Sequence, residues 1–244
     1  MRKFFFRNQV TPYVILFIER DGSTYMISLM TSHPQIQAVY ERFAVLRQQG
    51  ATAEDQLNWA RNFYTPSLIN KYAAVGFKTK LVDVLDKEGF VNLLREKKVK
   101  ILQMQRRNQV KAVVSRINAK RLFDASGKWN LYNEKERLPA FEIDPVIFQQ
   151  YLQERIEADQ ELNTFTVNLG LPTLKMVYED ILVNRDAVLS RVFEFLGVEP
   201  FPVQANTLKN TNDNLREVIL NFDQLRSLYV NTPFEYMFDE VLVA

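Results

Sequence analysis

No cysteine occurs among the 244 residues, so disulfide scaffolds, cysteine-ligated zinc sites and thiol nucleophiles are excluded by inventory. Histidine occurs once, at His33. A Ser-His-Asp triad could use only that residue, and a multi-histidine metal site cannot be built. Glycine is scarce as well: there are seven, and the closest pair, Gly76 and Gly89, is thirteen positions apart. Neither G-x-G-x-x-G nor G-x-x-x-x-G-K can therefore occur, and any nucleotide must be held by another device. Long apolar runs are missing too. The run at 13–18 stops after six residues at Glu19-Arg20-Asp21, too short for a signal peptide or a membrane span. With no cysteine and no leader, the expectation is a soluble cytoplasmic protein.

What is present is ample material for a core, 47% apolar residues, read here as one domain over 1–244. The 31 basic and 29 acidic residues give a net charge of +2, too balanced for a surface that coats nucleic acid, so no nucleic-acid partner is expected. The distribution is less even. Residues 95–121 hold ten basic side chains against the single acid Glu96, a local +9 that leaves −7 for the rest of the chain. Such a segment suits a compact polyanion such as a nucleotide, or it is a solvated helix face.

Four short apolar runs, 13–18, 73–78, 99–104 and 172–177, read as buried strands. Segments of helical period lie between and after them, at 23–32, 41–49, 90–97, 108–122, 145–162 and 185–196. Strands alternating with helices predict an α/β fold with a mostly parallel sheet of about four to five strands covered on both faces. The least regular stretch, 124–139, reads as a long loop or flap.

In such sheets ligands sit beyond the carboxyl ends of the strands. After the first strand comes Glu19-Arg20-Asp21-Gly22-Ser23-Thr24-Tyr25, a single glycine and two hydroxyl residues at a helix start. That arrangement offers free backbone N–H groups, two side-chain donors and the positive end of a helix dipole, or it is simply a tight turn capped by Asp21 or Ser23. After the strand at 99–104 the helix 108–122 has a buried stripe of Val110, Val113, Val114 and Ile117, with Arg107, Lys111 and Ser115 on a neighbouring ridge expected to be exposed.

The turn Arg20-Asp21-Gly22-Ser23-Thr24 resembles the 5′-phosphosulfate loop of sulfotransferases that use 3′-phosphoadenosine-5′-phosphosulfate (PAPS), except that Asp21 stands where serine is usual. A carboxylate aimed at an anion would weaken binding unless it turns away, caps the helix or pairs with a cation. Arg107 followed by Asn108, a valine-rich run and Ser115 eight positions on is similar to the family's 3′-phosphate motif. Val177-Tyr178-Glu179-Asp180 and the segment around Lys209 are similar to the adenine-side and C-terminal parts of bacterial carbohydrate-type members.

The resemblance spans most of the chain and implies a P-loop-nucleotide-hydrolase-like sulfotransferase fold. It also implies PAPS as co-substrate, 3′,5′-adenosine bisphosphate (PAP) as product, and no metal. By that likeness Arg20, Asp21, Gly22, Ser23, Thr24 and Tyr25 surround the phosphosulfate; Arg107, Ser115 and Lys209 hold the 3′-phosphate; and Tyr178 lies near the base. Lys78 and Lys80, in Lys78-Thr79-Lys80, fall where cytosolic relatives carry Lys-Thr-His, so Lys80 replaces the histidine base and serves as a charge stabiliser. Glu41, opening the helix after the extended stretch 36–40, becomes the general base, with Arg20 and Lys78 on the transferring group. His33, before Pro34, reads as a helix-end structural residue.

The acceptor, a hydroxyl or amine on a carbohydrate, lipid or small molecule, is expected beside the 124–139 loop, with Trp129, Tyr132, Phe43 and Phe63 as lining. A homo-oligomer is compatible with the sequence. The competing reading is a catalytically impaired PAP-binding or interaction module, with Asp21 and Lys80 marking lost chemistry.

Overall fold

A computed structural model describes residues 10–65, 71–131, 133–206 and 211–242. The chain runs β1 (Thr11–Leu16), α1 (Ser23–Thr31), β2 (Ile36–Val39), α2 (Arg42–Gln48), α3 (Ala53–Phe63), β3 (Ala74–Thr79), α4 (Lys87–Glu96), β4 (Lys100–Gln105) and α5 (Gln109–Ser126). It continues with α6 (Pro145–Leu169), β5 (Thr173–Val177), α7 (Tyr178–Val183), α8 (Arg185–Leu196), α9 (Phe222–Ser227) and α10 (Glu235–Asp239). The five strands form one parallel sheet in the order β2-β3-β1-β4-β5. From β1 the chain goes to the edge strand β2, returns to β3 beside β1, and then crosses to β4 and β5 on the other side, which makes the carboxyl end of β1 the switch point where such sheets bind ligands.

β1 is central because it is apolar on both faces. Its alternation sends Tyr13, Ile15 and Phe17 to a cluster with α1 and α8, and Val14, Leu16 and Ile18 to a cluster with α2, α3, α4 and α6. A further cluster joins α5, the first half of α6, α9 and α10. Gly76 on β3 faces Tyr13 on β1 across the ladder. The bare glycine lets the Tyr13 ring lie over β3, so that its hydroxyl donates to the Gln37 carbonyl on β2 at 3.1 Å. A Cβ at Gly76 would stand 2.4 Å from both the ring and the Tyr13 carbonyl oxygen. Gly76→Ala is expected to lower unfolding stability by about 2–3 kcal/mol, read by denaturant titration.

Several expectations shift. The stretch 36–40 supplies a fifth strand at the sheet edge, and β1 ends at Leu16 rather than Ile18. Tyr178 opens α7 directly after β5. α5 runs on to Ser126, so the loop beyond it is shorter than the 124–139 flap. Lys111 and Ser115 are buried, because α10 and the loops around α5 cover the ridge that the helical pattern alone leaves open. His33 is a structural residue: its Nδ1 accepts from the Gln35 N–H, its Nε2 faces the Glu199 carbonyl at 2.9 Å, and Phe193 and Phe201 pack on the ring. Among the described residues no helix is long and apolar enough to cross a membrane.

Candidate active site

Between β1 and α1 the backbone adopts a left-handed conformation twice, at Arg20 (φ 70°) and Gly22 (φ 79°). Glycine takes that region freely, and arginine does so only when its surroundings hold it there. Those surroundings are specific. The Arg106 guanidinium donates to the Arg20 carbonyl at 2.9 Å, and Arg155 Nη1 donates to the Glu19 carbonyl at 3.3 Å. Gly22 is required a second time, because a Cβ there would meet the Tyr178 ring at 2.1 Å. Gly22 also occupies the N-cap position of α1 and carries no side chain to cap it. The first N–H groups of α1 are thus left for an external acceptor.

Asp21, the departure from the motif, turns inward. It is fully buried; its Oδ2 accepts from the Ile18 N–H at 2.9 Å and its Oδ1 accepts from Arg155 Nη2 on α6. Burial pushes its pKa up to about 6 against the pull of Arg155. The carboxylate neither caps α1 nor faces the space above the loop, so Asp21 enters the site through its backbone and through Arg155.

Lys78, near the end of β3, is 1% exposed and gathers the site together. Its Nζ lies 3.2 Å from Ser23 Oγ, 2.9 Å from Thr24 Oγ1 and 3.0 Å from Glu41 Oε1, over the Phe17 ring at 4.8 Å. Burial lowers its pKa from the usual lysine value, while Glu41 pulls the other way. Glu41 sits at the N-cap of α2, just after β2, with its side chain one third exposed. The carboxyl ends of β1, β2 and β3 thereby bring Ser23, Thr24, Glu41 and Lys78 into one cluster. Lys80 is not in it. Its Nζ faces Asp83 at 3.4 Å, because the chain leaves the sheet after Thr79 and turns into a short 3-10 helix.

On the β4 side, Arg107 precedes α5, as the spacing to Ser115 requires, but its guanidinium is exposed and bonds Asp180 at 2.7 Å. Ser115 Oγ instead accepts from Arg20 Nε at 3.0 Å, and Arg20 Nη1 reaches the Trp129 carbonyl at 3.3 Å. Burial, and then the neighbouring Arg106, lower the pKa of Arg20 to about 10, which leaves it charged at neutral pH. Tyr178 covers Gly22 on one side and lies under the Arg106 guanidinium at 5.1 Å. Tyr25 is half-buried against the core under α1. Lys209 and Tyr132 lie outside the described residues.

Two buried cations escaped the sequence reading. The Arg106 side chain is 8% exposed, and its Nε has no hydrogen-bond partner among the described residues. Arg155 lies on the inward stripe of α6 that also carries Phe148, Leu152, Leu162, Thr166 and Leu169. An arginine on an apolar stripe was the available signal.

Between the ends of β1 and β3 and the helices α5 and α6 lies a cavity of about 230 Å³, walled by Phe17, Lys80, Arg116, Tyr151, Glu154 and Arg155 among others. Arg116 stacks 3.9 Å from the Tyr151 ring and pairs with Glu154 at 2.8 Å. Phe43 and Phe63, expected at an acceptor pocket, belong to the apolar cluster under α2 and α3, where they pack on Trp59 and Phe77. Among the described residues no group of three or more acidic or histidine side chains could hold a metal ion.

No protein-family model matches the chain. It is 22% identical over 241 residues to Nodulation protein H of Rhizobium tropici, an alignment that covers 93% of each protein. Its fold overlays the crystal structure of a sulfotransferase from Alicyclobacillus acidocaldarius with a TM-score of 0.50 and 13% identity, covering 94% of this chain and 95% of that one. A sulfotransferase domain from the Synechococcus PCC 7002 olefin synthase overlays with a TM-score of 0.46 and 14% identity, covering 98% of this chain and 90% of that one. With its five parallel strands, its flanking helices and near end-to-end overlap with the Alicyclobacillus enzyme, the chain has the sulfotransferase fold.

Proposed function

We propose that the protein transfers a sulfuryl group from PAPS to a hydroxyl or amine of an acceptor molecule. The observation that carries this reading is the Lys78 ammonium, held between the two loop hydroxyls and the Glu41 carboxylate. An anion seated on the N-terminus of α1 would meet uncapped N–H groups, Ser23, Thr24 and a buried cation. An acceptor beside Glu41 would have a base within reach, since only one oxygen of that carboxylate is taken up by Lys78.

In the reaction, the acceptor oxygen or nitrogen bonds to sulfur as the bond from sulfur to the bridging phosphate oxygen breaks. The acceptor proton goes to Glu41, and the electron pair of the broken bond stays with the departing 5′-phosphate. Lys78 and the α1 N-terminus offset the charge that gathers there. Arg107, Ser115 and Lys209 take the 3′-phosphate, with Arg107 exchanging Asp180 for it, and Arg20 and Arg106 supply further positive charge. Tyr178 flanks the nucleotide. The cavity walled by Phe17, Arg116 and Tyr151 receives the acceptor, because Phe17 both lines it and carries Lys78 Nζ 4.8 Å from its ring.

The alternative of an impaired module rested on Asp21 and Lys80. Asp21 is neutralised by Arg155, away from the loop's open side, and Lys80 stands outside the cluster, so neither obstructs the chemistry. Labelled PAPS offered with a panel of glycans, glycolipids, alcohols and amines is expected to yield a sulfated product. Arg107→Ala is expected to weaken PAP binding about tenfold in calorimetry. Binding of PAP with no transfer to any acceptor would return the impaired-module reading, and absence of both would end the sulfotransferase assignment.

A further inference from the structure

Asp21 and Arg155 lie 134 positions apart, and both are buried from water, at 0% and 4% exposure. Arg155 spends its whole guanidinium on this region. Nη2 binds Asp21 Oδ1, Nη1 reaches the Glu19 carbonyl at 3.3 Å, and Nε bonds Asp159 Oδ2 at 3.0 Å. Asp159 in turn accepts from Gln109 Nε2, at the first turn of α5, at 2.9 Å. One side chain thus joins the α1 loop to α6, and through Asp159 to α5, while it also walls the cavity between them.

Two physical demands meet at this point. A loop that presents N–H groups to an anion must keep its left-handed residues in place, and a carboxylate within that loop must not repel the anion. We propose that Arg155 is a positioning residue for the donor site: it cancels the charge of Asp21 and fastens residues 19–22 to α6, so that the loop is electrostatically open to an anionic nucleotide. The proposal rests on the sulfotransferase reading above. The other charged groups around Asp21 are Asp159 on α6 and Arg106 after β4, and Arg106 does not bond the carboxylate, so removing Arg155 leaves Asp21 without its partner.

The test measures PAP dissociation constants of the full chain by calorimetry at pH 7.5 and 5.5. It compares wild type with Arg155→Met, Arg155→Lys, Asp21→Asn and the double variant Asp21→Asn/Arg155→Met, each checked for folding by circular dichroism. Every variant is referred to wild type at the same pH, because PAP itself titrates in this range. Arg155→Met is expected to weaken PAP at least about tenfold at pH 7.5, through the loss of the loop's anchor and the uncompensated charge of Asp21, and by less at pH 5.5, below the Asp21 pKa that burial already raises to about 6 with Arg155 in place. Adding Asp21→Asn to Arg155→Met is expected to recover most of the lost affinity, short of wild type because the bond from Arg155 to the Glu19 carbonyl stays missing, a coupling that a general packing defect would not produce. Arg155→Lys keeps the charge beside Asp21 but not the forked contacts to Glu19 and Asp159, and is expected to cost PAP affinity less than about tenfold, which decides the matter should Arg155→Met not fold. Wild-type affinity in Arg155→Met at both pH values would overturn the proposal while leaving the sulfotransferase reading intact. A double variant as weak as Arg155→Met, or a tenfold loss in Arg155→Lys, would overturn it in the same way. Failure of the wild type to bind PAP would overturn both.

Discussion

Lys78→Met is expected to leave the fold standing and to lower kcat for sulfuryl transfer by about a thousandfold. Methionine nearly matches the lysine stem in length and volume, and its methyl end can pack on the Phe17 ring, which now lies 4.8 Å from the Lys78 ammonium. Exchanging a buried ion-paired lysine for an apolar residue of similar shape is often close to neutral for stability, since the desolvation of the ammonium is no longer imposed. The unfolding midpoint is therefore expected to move by only a few degrees, read by thermal denaturation. Catalysis has no such compensation. Among the described residues Lys78 touches Ser23, Thr24 and Glu41 together, so its loss removes the cation facing the transferring group and frees the carboxylate and both hydroxyls from their common anchor. PAP affinity is expected to fall less than kcat, because the charge that Lys78 offsets grows along the reaction. A kcat within tenfold of wild type would remove Lys78 from the chemistry.

Legibility in the sequence followed the range of the interactions. The apolar runs of β1, β3, β4 and β5 could be read because burial on both faces of a parallel sheet demands them locally. The edge strand Ile36–Val39, half-buried, left only an extended stretch. α3 passed unread although Thr52 and Asp55 form a capping box ahead of it. Glu41, Lys78 and the Gly22 turn were identified by their place after strands, a short-range property. Their mutual distances were not, since these depend on how β2, β3 and β1 lie side by side. The direction of Asp21 was the least legible feature. Capping, turning away and pairing with a cation all fit its neighbours in sequence, and the choice belonged to Arg155, far along the chain on α6. Arg107 shows the converse. Its spacing to Ser115 was visible, whereas the ion pair it makes with Asp180 depends on α7 starting directly after β5.

Glu41→Gln is the sharper test of the chemistry, because it removes a proton acceptor and almost nothing else. The amide oxygen of glutamine can still accept from the Lys78 ammonium, which Glu41 Oε1 meets at 3.0 Å, and the N-cap position of α2 uses no side-chain hydrogen bond that the change would break. Fold and PAP affinity are accordingly expected to stay within about threefold of wild type. The rate is not. Loss of a positioned general base typically lowers turnover by about a hundred- to ten-thousandfold, and the loss should fall on kcat with little change in KM for PAPS. A purely structural glutamate predicts the opposite pattern, a lower unfolding temperature with turnover per folded molecule preserved. Glu41→Ala separates the two further. By opening space beside Lys78, it allows formate added at millimolar concentration to occupy the missing carboxylate's position, and partial recovery of kcat is expected from that anion but not from chloride at equal ionic strength. Turnover in Glu41→Gln equal to wild type would transfer the base to another group, and His33 is not available for it: its ring is sealed between Phe193 and Phe201 with both nitrogens engaged.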